Sequence, residues 1–412
     1  MEVSWRIVVL LLLTLLVIQY TAIRTLHLAP NLNYAQSTSC VPRSTENLND
    51  SSRVTLSAST TGGQKHIVVF AVTRSGSSFL GQLLNHQSDA FYLFEPLYHV
   101  QKILLNSSIR LRRTISRRAL VGAFIDLLRN LFFCDVQFLR NYDAVKVDRL
   151  TLFRRAASRA LCIPPVCTAV PQTETYEEES CSKYCGANLN LTLAQQVCRK
   201  TSNIVIKIVR MPEIGDLRTL AVDPRLDLRI IHLVRDPRAI IASRMKAFGE
   251  SFRSWKVWKA VGRMPYNLDK SVVTTVCYDL LSSISTVMST PEWLKGKYML
   301  VRHEDLSLNP IEKAKEIYKF VGIPMENEVK KWILKNTKDV KHNNSNIYAT
   351  VRNSSTIVDH WRSQLSFDMV QLIQTLCSNT MVHLGYKFTK TPAELRNLSI
   401  SMLEENFSIL HL

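Results

Sequence analysis

Residues 67–80 read Ile67-Val68-Val69-Phe70-Ala71-Val72-Thr73-Arg74-Ser75-Gly76-Ser77-Ser78-Phe79-Leu80, and they decide the fold. The first six are apolar with no polar alternation, which fits a strand buried on both faces of a parallel sheet. Phe79-Leu80 followed by Leu83-Leu84 has helical spacing. The predicted order is therefore strand, tight Ser/Gly loop, helix. Backbone N–H groups at a helix N-terminus point outward and favour an anion. Gly76 permits close approach, the hydroxyls of Ser75, Ser77 and Ser78 add donors, and Arg74 supplies a forked cation. The competing reading is an ordinary Ser-rich turn, and the buried strand before it and apolar helix after it favour the anion site. The loop lacks G-x4-G-K-[ST], so it is not a Walker A loop.

The same pattern continues along the chain. Further strands are expected at Ala90–Phe94, Ile204–Val209, Leu228–Val234 and Tyr298–Val301. Helical spacing is expected at Leu120–Phe133, after Pro237, and from Asn309-Pro310 through Phe320 to a stop at Gly322. Strands alternating with helices predict a doubly wound α/β sheet, with ligands at the carboxyl ends of the strands.

A second candidate phosphate segment is Arg235-Asp236-Pro237-Arg238-Ala239-Ile240-Ile241-Ala242-Ser243-Arg244. Arg235 ends a strand, and Ser243 and Arg244 fall about two turns into the next helix, so Arg and Ser can converge on one phosphate. Asp236 reads better as a cap or as a partner for Arg238. The competing reading is a charged helix start with surface arginines.

The ends of the chain concern location. Ile7–Ile23 carries no charge, with the aromatic Trp5 just before it and Tyr20 near its end, which predicts an uncleaved signal anchor. No other run reads as a second span. The expected division is a cytoplasmic tail 1–6, an anchor 7–23, a Ser/Thr/Asn-rich stem 24–64, a body 65–390 and a tail 391–412. Seven sequons follow the anchor, at Asn49, Asn106, Asn190, Asn343, Asn353, Asn397 and Asn406, and they favour a glycosylated lumenal body. Nine cysteines are present, five of them between Cys162 and Cys198, which predicts local disulfides. Zinc on Cys162, Cys167, Cys181 and Cys185 is the less favoured alternative, and no metal is expected. The odd count leaves at least one thiol free or intermolecular.

The net charge of +18 asks for an anionic partner. Anchor and sequons place the body away from nucleic acid, which leaves a phosphate ligand, a membrane surface or an acidic polymer. Nothing in the sequence fixes the oligomeric state, so a homo-oligomer stays open.

Together the motifs resemble the sulfotransferase superfamily. The first loop, Thr73 to Phe79, resembles its 5′-phosphosulfate loop, and Arg235 to Ser243 its 3′-phosphate segment. With Phe94-Glu95-Pro96-Leu97 and Tyr298-Met299-Leu300-Val301-Arg302-His303-Glu304-Asp305-Leu306, they look like the Golgi galactose, N-acetylglucosamine and N-acetylgalactosamine 6-O-sulfotransferases. Ile18–Thr25 and Phe91–Gln101 are most similar to those acting on keratan sulfate galactose. The resemblance covers about residues 65–390 plus the anchor. It implies a P-loop-like fold with a mostly parallel sheet flanked by helices, preceded by one transmembrane helix in the Golgi membrane. It implies 3′-phosphoadenosine 5′-phosphosulfate as co-substrate and galactose O6 of a keratan sulfate-type chain as acceptor. N-acetylglucosamine, chondroitin N-acetylgalactosamine and a non-enzymatic glycan binder stay open as alternatives.

Sulfuryl transfer needs an in-line arrangement, charge stabilisation and a base for the attacking hydroxyl. Many members of the superfamily carry Lys where this chain has Arg74, and Arg acts electrostatically and not as an acid. Glu95, before the rigid Pro96, is the candidate base, with His99 a weaker one. Lys207 and Arg210 are candidates to hold acceptor or leaving group. Arg352, near Trp361-Arg362, is implied as part of a loop closing on the nucleotide. Arg110, Arg112, Arg113, Arg117 and Arg118, with Arg154, Arg155 and Arg159, form basic clusters that suit either solvated helix faces or a glycan track.

Overall fold

A computed structural model describes residues 63–111, 116–142, 156–170, 176–185, 189–338, 354–405 and 407. The expected anchor, the stem up to residue 62 and Cys40 lie outside them, as do Arg112, Arg113, Arg154, Arg155 and Arg352. So do the sequons Asn49, Asn343, Asn353 and Asn406.

Five strands form one sheet: β1 Lys65–Ala71, β2 Ala90–Phe94, β3 Asn203–Ile208, β4 Asp227–Val234 and β5 Tyr298–Arg302. All pairings are parallel, in the order β2-β3-β1-β4-β5. The alternation of side chains along β1 explains its unbroken apolar run. Val68 and Phe70 join one core with Ile204, Ile206 and Ile230. Ile67, Val69 and Ala71 join another with Val205, Ile231 and Leu233. Both faces are covered, so neither needs polar residues.

The helix Ser77–Asn85 seals the second core with Leu80, Leu83 and Leu84, beside Ile317 and Tyr318 of the helix Pro310–Val321. That second helix ends at Gly322 in the left-handed region, as the sequence predicts. The first core is closed by Arg117–Phe132, Pro237–Ala247, Ser271–Met288 and Phe367–Leu376. Ser271–Met288 is long and apolar enough by composition to cross a membrane, contrary to the expectation of no second such run. It packs Val273, Val276, Leu280 and Ile284 into the core and is tied through Cys277–Cys377.

The cysteine-dense stretch is stapled by Cys162–Cys181 and Cys167–Cys185, which enclose a small core of their own. The four proposed zinc ligands are therefore all consumed in disulfides. Cys134–Cys198 is a third bridge, so all eight cysteines among the described residues pair.

The stretch expected as a tail from 391 is seated on the body over part of its length. The buried Arg362 guanidinium donates to the carbonyls of Leu395, Ile400, Glu394 and Asn397. Trp361 is buried beside it, so this pair belongs to the core of the helix Ser354–Gln364 and not to a nucleotide loop.

Candidate active site

The loop after β1 and the loop after β4 leave neighbouring strands in opposite directions across the sheet. That places a crevice at their carboxyl ends. Arg74 and Gly76 both have positive φ, 74° and 91°, bracketing Ser75. Alternation of this kind turns successive N–H groups toward one point and makes an anion-binding concavity. Gly76 is required twice over. Its backbone is left-handed, and a Cβ there would lie 2.3 Å from the His303 ring at the end of β5. The Ser75 hydroxyl is fully buried with no hydrogen-bond partner among the described residues, as expected of a loop built to meet an oxyanion.

Three arginines converge on this loop. The Arg74 Nε donates to Ser243 Oγ at 3.0 Å. Arg235 Nη1 donates to the Arg74 carbonyl and Arg244 Nε to the Thr73 carbonyl, each at 3.2 Å. The two strings picked from the sequence are thus one contiguous cationic site. Burial pulls Arg244 down to about 10, with Asp279 raising it and Arg74 lowering it further, so it stays cationic at neutral pH.

The segment 235–243 divides. Arg235 and Ser243 face the loop. Asp236 and Arg238 form a buried ion pair at 2.6 Å, and Asp236 caps the helix through the Arg238 N–H. Arg238 also donates to Gln374 and lies over the Trp361 ring, so it is turned into the core. Pro237, Ala239, Ile240, Ile241 and Ala242 are buried in the helix that positions Ser243. Phe79 packs on Trp332 behind the loop, and Ser77 starts the helix below it.

Glu95 directly follows β2 with a strained positive φ of 49°, which commits it to one direction. Its Oε1 accepts from Lys207 Nζ at 2.6 Å, and Arg210 stands 4.0 Å from Oε2. The buried Lys207 ammonium is 3.4 Å from Ser78 Oγ and lies 3.8 Å over the Phe94 ring. One ammonium therefore bridges the carboxylate and the anion loop.

Residues 64–385 match the sulfotransferase domain family. The chain is 46% identical over 429 residues to carbohydrate sulfotransferase 1 of Danio rerio, covering 98% of each. It is 40% identical over 349 residues to carbohydrate sulfotransferase 3 of Mus musculus, covering 84% of this chain and 72% of that one. Among solved structures, it is similar to a mouse sulfotransferase complexed with PAP, at TM-score 0.37 and 10% identity over 77% of this chain and 86% of that one.

The chain belongs to the sulfotransferase family.

As a sulfotransferase it has features beyond those picked from the sequence. Asp279, on the helix Ser271–Met288, sits in the fields of Arg244, Glu213, Asp216 and Arg117, and burial raises its carboxyl to about 6. No local motif marks it. His303 under the loop is signalled only by its place at the end of β5. Arg117 is exposed and paired with Glu213 and Asp216, which answers for one member of the basic clusters.

Proposed function

We propose that this sulfotransferase moves the sulfuryl group of 3′-phosphoadenosine 5′-phosphosulfate to the 6-hydroxyl of galactose in keratan sulfate-type chains. The observation that carries the reading is the Lys207 bridge, which sets the candidate base Glu95 beside the candidate phosphosulfate loop. The loop N–H groups, the orphaned Ser75 hydroxyl and Arg74 would hold the 5′-phosphosulfate. Arg235 and Ser243 would meet the 3′-phosphate, with Arg352 as a further nucleotide contact.

In the transfer, the galactose O6–S bond forms as the bond from sulfur to the 5′-phosphate oxygen breaks. The O6 proton passes to Glu95, and adenosine 3′,5′-bisphosphate leaves. Lys207 orients the Glu95 carboxylate, and the positive loop stabilises charge growing on the leaving phosphate.

The same reading places residues 7–23 in the Golgi membrane, with a short cytoplasmic tail, a stem 24–64 and the catalytic body 65–390 in the lumen. Paired cysteines fit an oxidising compartment. Asn190 and Asn397 are exposed and open to glycosylation, and the acceptor is an anionic glycan rather than nucleic acid.

The test incubates the full detergent-solubilised chain with labelled donor and defined acceptors, then maps the sulfated carbon. Label on galactose C6 supports the reading. Label only on N-acetylglucosamine or chondroitin N-acetylgalactosamine replaces the acceptor. Glycan binding without transfer sinks the catalytic assignment.

A further inference from the structure

Downstream of Ser243 and Arg244, the chain builds a second surface that the reaction does not use. The helix Arg253–Val261 turns Trp255 and Trp258 into the core and leaves its other face bare. After Gly262 the chain returns along that helix. Trp255 Nε1 donates to the Asp269 carbonyl at 2.7 Å, and the Asp269 N–H donates to Ser254 Oγ. Helix and return segment are thus fastened together and enclose an open groove of about 460 Å³.

The floor of the groove is apolar and unusually bare. Val261 is 70% exposed, Met264 and Val257 about half exposed, and Tyr266 wholly exposed. Arg263 and Lys270 line it, and neither side chain has an ion pair among the described residues. Arg253, Lys256 and Lys259 add exposed cations on the adjoining helix. Exposed apolar surface costs free energy unless something covers it, and an aromatic ring between unpaired cations calls for a partner both apolar and anionic.

We propose that this groove is a second binding site for the acceptor, holding sulfated glycan away from the sugar being modified. A sulfated pyranose chain has both properties. Its axial C–H faces lie flat on Tyr266 and Met264, while its sulfate groups reach Arg263 and Lys270. The concave form favours an extended chain over a lipid surface, which would press against protruding tips. The proposal rests on the reading of this chain as a glycan sulfotransferase. It adds that longer, already sulfated chains are gripped beyond the catalytic crevice.

The test compares the full chain with Tyr266→Ser/Arg263→Ser/Lys270→Ser, using direct binding of a long sulfated keratan-type chain without donor. The variant is expected to bind about tenfold more weakly, because it loses one ring face and two charges. A disaccharide acceptor should keep its KM, and Arg263→Lys/Lys270→Arg should keep affinity for the long chain. Equal affinity of wild type and triple variant for the long chain overturns the proposal, as does a wild type that does not bind it. Loss of binding to anionic vesicles, or of a dimer, with glycan affinity intact hands the groove to a membrane or a second copy. A wild type that binds the chain in the groove but never labels galactose C6 sinks the catalytic reading and leaves this site standing.

Discussion

Under the proposed function, single side chains divide the crevice into a donor half and an acceptor half. Arg74 and Ser243 hydrogen-bond each other and would hold the donor, whereas Glu95 lies across Lys207 from Ser78 of the same loop. Arg74→Ala or Ser243→Ala should raise the donor KM about tenfold or more, the usual loss for a hydrogen bond to a charged group. Glu95→Gln should keep the donor KM and lower kcat by about 10²–10⁴, the range of general-base catalysis. An unchanged kcat would move the base elsewhere. Asp279 offers a test of electrostatics. Its carboxyl is raised to about 6 from 3.8, chiefly by burial. Between those values the folded state binds more protons than the unfolded one, so stability falls as pH rises through that window and is lowest above it. Asp279→Asn should therefore stabilise the protein at pH 7, by about 1 kcal/mol for a half-buried group, and flatten the thermal midpoint between about pH 4 and pH 6. A variant less stable at pH 7 would show that attraction to Arg244 outweighs burial.

Elements far apart in sequence are held by cross-links whose loop lengths set their value. Cys277–Cys377 ties the helix Ser271–Met288 to the end of Phe367–Leu376 across a separation of 100 residues, against 19 for Cys162–Cys181. Loop-closure entropy ranks the first above the second, at about 4.7 against about 3 kcal/mol. Replacing Cys277 and Cys377 by Ala should lower the melting temperature more than replacing Cys162 and Cys181, and the reverse order would place the staple's value in local packing. The five strands and the helix starts at Pro237 and Pro310 were legible in the sequence, because double-sided burial and proline leave local marks. The order β2-β3-β1-β4-β5 was not, since register is settled between segments. Arg238 was misplaced for the same reason. Its string looked like a phosphate site, but Gln374 and Thr389, 136 and 151 residues onward, draw it inward. Asp279 was missed because its charged neighbours come from three other segments of the chain.

Across the whole molecule, the +18 charge is divided by depth. Arg244, beside the candidate donor loop, is half-buried, as are Arg74 and Arg235. The cations along Arg253–Lys270 stand in solvent. Salt discriminates between these populations, because the Debye length shrinks from about 10 Å at 0.1 M to about 3 Å at 1 M, while buried charges are screened much less. Raising salt across that range should therefore lift the KM for a sulfated acceptor about tenfold, as several surface contacts of a few tenths of a kcal/mol are lost together. The KM for an unsulfated acceptor should change little, and that for the donor should climb less steeply than that for the sulfated acceptor. A donor KM that climbs as steeply as the acceptor KM would mean that the phosphate-holding arginines are solvated in the working enzyme. The proposed division of labour between a half-buried donor crevice and an exposed acceptor surface would then be wrong.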